Sequence, residues 1–208
     1  MRRRRSIMTH GRMVAIAILL GVLSLGRLGS GVAGAPATAA GGHFSISSAD
    51  FANGMPIPVV HAAVPPRCGT IAGAASRPFT LRWQNPPSGT RSFVLVVVDR
   101  DLPAQYRKLY PAGFLHWLVY NIPATEREIG PGALQVGTPG TNGAGFAGYM
   151  GPCPPPGDPP HRYRITLYAL DLPHIAGAAL TVEQVEAAMR GYVLDTARTI
   201  GTFQVPRT

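Results

Sequence analysis

A mainly β fold is expected from three features of this 208-residue sequence. Gly (25) and Pro (21) make up more than a fifth of the chain, a level common in loop-rich β proteins and high for a helical one. Short apolar runs bounded by Gly, Pro, Asn or Asp recur along its length. Only one segment shows the 3.6-residue period of an amphipathic helix.

The elements follow in chain order. Residues 1–12 are basic, Met13 to Leu25 is an apolar run (MVAIAILLGVLSL), and Gly26 to Gly42 is rich in small residues. That is the three-part pattern of a secretory signal, with Ala37-Thr38-Ala39 as the best cleavage site. The apolar run is shorter than the roughly 20 residues needed to cross a bilayer, and Arg27 closes it, which argues against an uncleaved anchor. Arg4-Arg5-Ser6-Ile7-Met8 is similar to a twin-arginine export signal. The expectation is a signal peptide over 1–39 and one domain over 40–208, secreted or periplasmic and with no membrane span in its mature form.

In the mature region Phe44 to Ser48 and Phe79 to Trp83 alternate as half-buried strands do. Phe93 to Val98 (FVLVVV) is continuously apolar, as expected of a central strand buried on both faces. Leu115 to Ile122 and Tyr163 to Leu170 have the same style, and Ile200 to Val205 closes the set. Between Gly130 and Pro160, 17 of 31 residues are Gly or Pro, so backbone shape is being specified there. From Thr181 the apolar positions Val182, Val185, Met189, Tyr192 and Val193 predict a helix of about four turns, with Thr181 and Gln184 as a capping box.

Charge excludes one function class. The chain carries 19 Lys+Arg against 10 Asp+Glu, a net +9. Six of the basic residues lie in the first 39 positions, which hold no acid. The remainder has 13 basic and 10 acidic residues, or +3, without the clustered stripe that nucleic-acid binding requires. Two cysteines, Cys68 and Cys153, stand 85 residues apart. A disulfide closing such a loop is worth roughly 4 kcal/mol in the chain-entropy model, but separation alone leaves a bond and two buried thiols both open.

Three segments place polar residues oddly against apolar strands. Asp99 and Asp101 end the central run at i and i+2, on one side if the chain stays extended. His116-Trp117 heads another strand, and Gly151-Pro152-Cys153-Pro154-Pro155-Pro156-Gly157 leads to His161 and Tyr163. Singly, each has a plain structural explanation: a turn-forming carboxylate, a hydrogen-bonded core histidine, a rigid spacer.

Together, Asp-x-Asp-x-Pro, His-Trp-x-Val-x-Asn-Ile-Pro (His116 to Pro123) and Gly-Pro-x-Pro-Pro-x-Gly-x-x-x-His-Arg-Tyr (Gly151 to Tyr163) resemble the phosphatidylethanolamine-binding protein family. Cys153 and the run Thr166 to Asp171 are similar to its bacterial, Raf kinase inhibitor-like branch. The resemblance implies an antiparallel β-sandwich with a few peripheral helices and a small anion pocket for phosphate or a phosphorylated head group. It assigns Asp99, Asp101, His116, Pro154, Pro155, His161 and Tyr163 to that pocket, with Phe114 as an aromatic wall. Arg100 departs from the family, which usually has Pro there.

The expected function is binding of a small anion, with both imidazoles and the Tyr163 hydroxyl as donors and a carboxylate orienting the rings. The alternative is a regulator or inhibitor acting through protein contacts, by protease or kinase modulation, with a protease or other envelope protein as the favoured partner. An enzyme is not expected, because no nucleophile elbow, HExxH or CxxC pattern is present. Nor is a cofactor or a metal.

Overall fold

A computed structural model describes residues 42–66, 68–131 and 136–207 of the protein. The expected export segment lies outside the described residues. Two antiparallel sheets build the domain. The smaller comprises β1 (Ser45–Ser48), β2 (Leu81–Gln84) and β5 (Glu128–Ile129) in the order β1-β2-β5. The larger comprises β3 (Ser92–Asp99), β4 (Phe114–Pro123), β6 (Thr138–Pro139), β7 (His161–Leu170) and β8 (Val193–Phe203), in the order β6-β4-β3-β7-β8. Two short helical turns, Val59–His61 and α1 (Ala104–Arg107), and one longer helix, α2 (Val182–Met189), complete the described elements.

The continuous apolar run of β3 is explained by what lies on each side of it. Phe93, Leu95 and Val97 meet Ile46, Leu81 and Trp83 of the smaller sheet, and Phe44 just before β1, in one core. Val94 and Val96 face the other way, into a second core with Leu118, Tyr120, Ile175, Val185 and Met189. The large sheet is thus covered by a sheet on one face and by α2 on the other. A strand in that position has no face to give to solvent, so period-two alternation is lost.

Helix α2 starts as the capping box requires. The Thr181 hydroxyl accepts from the Gln184 amide, and the Gln184 side chain accepts from the Thr181 amide at 2.8 Å. It ends earlier than the apolar period predicts. Gly191 takes φ +85°, a left-handed conformation suited to glycine that ends a helix. Tyr192 and Val193 are exposed rather than buried on the helix face. The last strand also begins at Val193 and not at Ile200, because β8 pairs with β7 from Leu170↔Val193 through to His161↔Phe203.

The Gly/Pro-rich stretch is specifically shaped where it is described. Thr138 and Pro139 pair with β4. Asn142 folds its own loop, accepting from the Ala144 amide and donating to the Gly148 carbonyl. Cys68 and Cys153 are disulfide-bonded, with Cα atoms 6.0 Å apart, which resolves the question that spacing left open.

Candidate functional site

The polar residues gather at one end of the sandwich, and strand register explains how. On β3 the residues facing the smaller sheet are Phe93, Leu95, Val97 and then Asp99; on β7 they are Ile165, Tyr163 and then His161. Asp99 stands opposite Tyr163 across the β3–β7 pair, so His161 lies one pleat further on. The period of two that buries the core therefore also aims Asp99 and His161 into the same space.

His116 reaches that space by a different device. Val97 pairs with Trp117 and Val98 pairs with Leu115, so His116 is an extra residue on β4 with no partner on β3. This is a β-bulge, which re-aims a side chain that regular alternation would place elsewhere. Trp117 stays in the inter-sheet core, and Leu115 packs with the second core behind the sheet.

The cavity these residues floor has a volume of 640 Å³. Asp99, His116 and His161 supply its carboxylate and imidazole groups, and Phe114, Met150 and the rings of Tyr106 and Tyr110 form much of its wall. Pro154, Pro155 and Pro156 close one side. Cys68 and Cys153 both line it, so the disulfide joins two of the loops around the cavity.

Hydrogen bonds set the state of each histidine. His161 Nδ1 lies 2.7 Å from Asp99 Oδ2, and Asp158 Oδ2 stands 3.5 Å from its Nε2. Burial opposes the imidazolium, but the hydrogen bond and charge of Asp99, followed by those of Asp158, outweigh it. The His161 pKa is raised. His116 is the opposite case. Its burial disfavours the charged ring more than the Met150 carbonyl and the Asp99 charge favour it, so its pKa is lowered. With Nδ1 3.0 Å from the Met150 carbonyl, neutral His116 donates from Nδ1 and keeps Nε2 as an acceptor. Of the two rings, His161 is the one whose charged form its surroundings favour.

Two of the expected site residues do not line the cavity. Strand β3 stops at Asp99, whose Oδ1 accepts from the Asp101 amide at 2.9 Å in a local turn. Asp101 consequently leaves the shared side and takes a two-pronged bond from the exposed Arg162 guanidinium, at 2.8 and 2.6 Å. That bond holds its carboxyl below the usual range. Tyr163 is fully buried behind His116, with ring centroids 5.0 Å apart and edge to face. Among the described residues its hydroxyl has no partner of good geometry. Burial raises its pKa well above the ordinary value, the Asp99 charge adds to this, and the nearby Cys153 backbone works against it. Tyr163 supports His116 from behind. Arg100 faces away from this cavity, into a cleft on the far side of the sheet.

Some cavity residues escaped sequence reasoning. Leu102, Tyr106 and Tyr110 come from the segment that carries α1, next to Pro103 of the Asp-x-Asp-x-Pro motif. The two tyrosines, four apart, were the only available signal. The Met150 carbonyl offered none, because a backbone acceptor has no residue type. Among the described residues no group of three or more His, Cys, Asp or Glu is arranged to hold a metal ion.

The phosphatidylethanolamine-binding protein family model matches residues 47–204. The chain belongs to this family. Among curated relatives, a UPF0098 protein of Chlamydia muridarum is 35% identical over 159 residues, 76% of this chain and 97% of the relative. One from Aquifex aeolicus is 34% identical over 175 residues, 80% and 92% of the respective chains. Of solved structures, Escherichia coli YbcL, a member of the same family, is 27% identical with a TM-score of 0.67, covering 78% of this chain and 98% of its own. A Chlamydia trachomatis family homologue is 30% identical with a TM-score of 0.66, covering 77% and 97%. The resemblance read from three motifs thus extends over nearly all the described residues, and the antiparallel sheets with few helices are those of the family.

Proposed function

We propose that this protein binds a phosphorylated small molecule or head group in the cavity floored by Asp99, His116 and His161. The observation that carries the reading is the His161–Asp99 pair. A histidine whose charged form is favoured by a buried carboxylate on Nδ1, at the base of an otherwise largely apolar cavity, can turn its Nε2–H from the more distant Asp158, 3.5 Å away, to an oxyanion. The balance of groups narrows the ligand. Asp99 and neutral His116 Nε2 are acceptors, so a bare dianion meets as much repulsion as attraction. A phosphate that carries its own donor, as a monoanion or with an attached ammonium, satisfies both kinds of group. The 640 Å³ volume leaves room beside the phosphate for an apolar or zwitterionic remainder.

The protein acts outside the cytoplasm on this reading, supported by the signal-type segment and by a disulfide of the sort that persists in oxidising compartments. On this reading it is a binding protein and not a catalyst, in keeping with a sequence that carries no nucleophile-elbow, HExxH or CxxC pattern.

The test is titration with phosphoethanolamine and with inorganic phosphate, followed by the His116 and His161 ring signals in NMR. Saturable shifts of both rings are expected, with phosphoethanolamine binding more tightly. His161→Ala is expected to abolish them. Absence of shifts at millimolar ligand overturns the proposal.

A further inference from the structure

The opposite face of the large sheet carries a second cleft, of 500 Å³, lined by none of the residues assigned to the first cavity by the family resemblance. Its floor is Val96, Val98 and Leu115, and three arginines border it: Arg100, Arg164 and Arg198. Register brings them together. Arg164 on β7 stands opposite Ile200, and Arg198 on β8 stands opposite Thr166, so the two are diagonal neighbours on adjacent strands. Val98 pairs with Arg164, and Arg100 follows two residues after Val98 at the end of β3.

Like charges at neighbouring positions on a sheet repel, yet among the described residues none of the three has an ion pair within 4.0 Å or a side-chain hydrogen bond. Arg162, between them in sequence, shows the contrast in its two-pronged bond to Asp101. Tyr168 sits among these charges and its hydroxyl donates to no described group. Burial raises the pKa of that hydroxyl, Glu186 raises it further, and Arg198 and Arg164 work against them, so all three charges lie within its reach. Glu183 and Glu186 border the cleft from the first turns of α2.

We propose that the cleft bordered by Arg100, Arg164 and Arg198 is a second ligand site, taking a small phosphomonoester with an apolar body. Guanidinium pairs suit phosphate because their paired N–H groups match two of its oxygens. The Val/Leu floor takes the apolar body. The two glutamates repel an extended polyanion, which directs the site toward a ligand with a single anionic end. Tyr110 lines both this cleft and the first cavity, but the proposal does not depend on occupancy of the first.

Phenyl phosphate is the probe, titrated into the mature domain at constant ionic strength with arginine Nε–H and Tyr168 ring signals followed by NMR. Saturable shifts of Arg164, Arg198 and Tyr168 in the millimolar range are expected. Arg164→Gln with Arg198→Gln alters only exposed side chains and is expected to weaken binding at this site at least about tenfold, with the His116 and His161 shifts retained. His161→Ala is expected to do the reverse. Shifts that do not saturate by about 20 mM, equal affinity in the double arginine variant, or the same shifts with chloride replacing phenyl phosphate each overturn the proposal. The histidine signals report separately on the first cavity, so failure at one site is distinguishable from failure at the other.

Discussion

Replacing Asp99 by Asn removes the charge that holds His161 protonated and leaves the size of the side chain almost unchanged. In the wild type that carboxylate takes the His161 ring at 2.7 Å and the Asp101 amide at 2.9 Å, and both Asp99 and His161 are buried. A hydrogen bond involving a charged group is worth about 1.5–3 kcal/mol net, against about 1 kcal/mol for a neutral one. The sign of the pH effect follows from linkage. The raised His161 pKa contributes stability that is fully present below the unfolded value of 6.5 and is lost as pH rises through the folded value. Asp99→Asn is therefore expected to cost about 2–3 kcal/mol near pH 5.5 and about 1 kcal/mol near pH 9. Urea denaturation at the two pH values, with an NMR titration of the His161 ring, measures both the cost and its cause. Equal destabilisation at both pH values, or a His161 pKa still raised in the variant, refutes the reasoning.

Three further outcomes are expected. His116 has a lowered pKa through burial, so the unfolded chain takes up its proton first as pH falls below 6.5. That contribution to stability is lost toward acid pH, and His116→Gln is expected to flatten the acid limb of a pH–stability curve. Opening the Cys68–Cys153 bond with a dithiol reductant, or replacing both residues by Ser, is expected to cost about 4.5 kcal/mol for a loop of 85 residues; denaturation with and without reductant reads it. A Cβ on Gly151 meets backbone atoms of His61, Ala62 and Ala63. Gly151→Ala is expected to destabilise by about 1–3 kcal/mol and to move the Met150 carbonyl away from His116, seen as a shifted His116 ring signal.

Much of the molecule was legible from local patterns. The FVLVVV run announced a strand covered on both faces, and the Thr181–Gln184 box marked the start of α2 correctly. Motif order brought out His116, His161, Asp99, Pro154 and Pro155, all of which line one cavity. The end of α2 was misread because Tyr192 and Val193 continue its apolar period by coincidence, while Gly191 turns the chain and β7 claims the residues that follow.

Composition, period and motif thus settle the fold class, the central strand and the residue types of the site, because these depend on side chains and their near neighbours in the chain. Whether a given side chain faces the cavity was decided by pairing between strands far apart in sequence. Asp101 shares its spacing with Asp99 but lies past the point where β3 stops, and Arg162 draws it away. His116 enters only because β4 carries one extra residue between the pairs Val97↔Trp117 and Val98↔Leu115. Period-two spacing predicts which residues share a side. It contains no information on where pairing ends or slips, and at this site those two events select the residues that face the cavity.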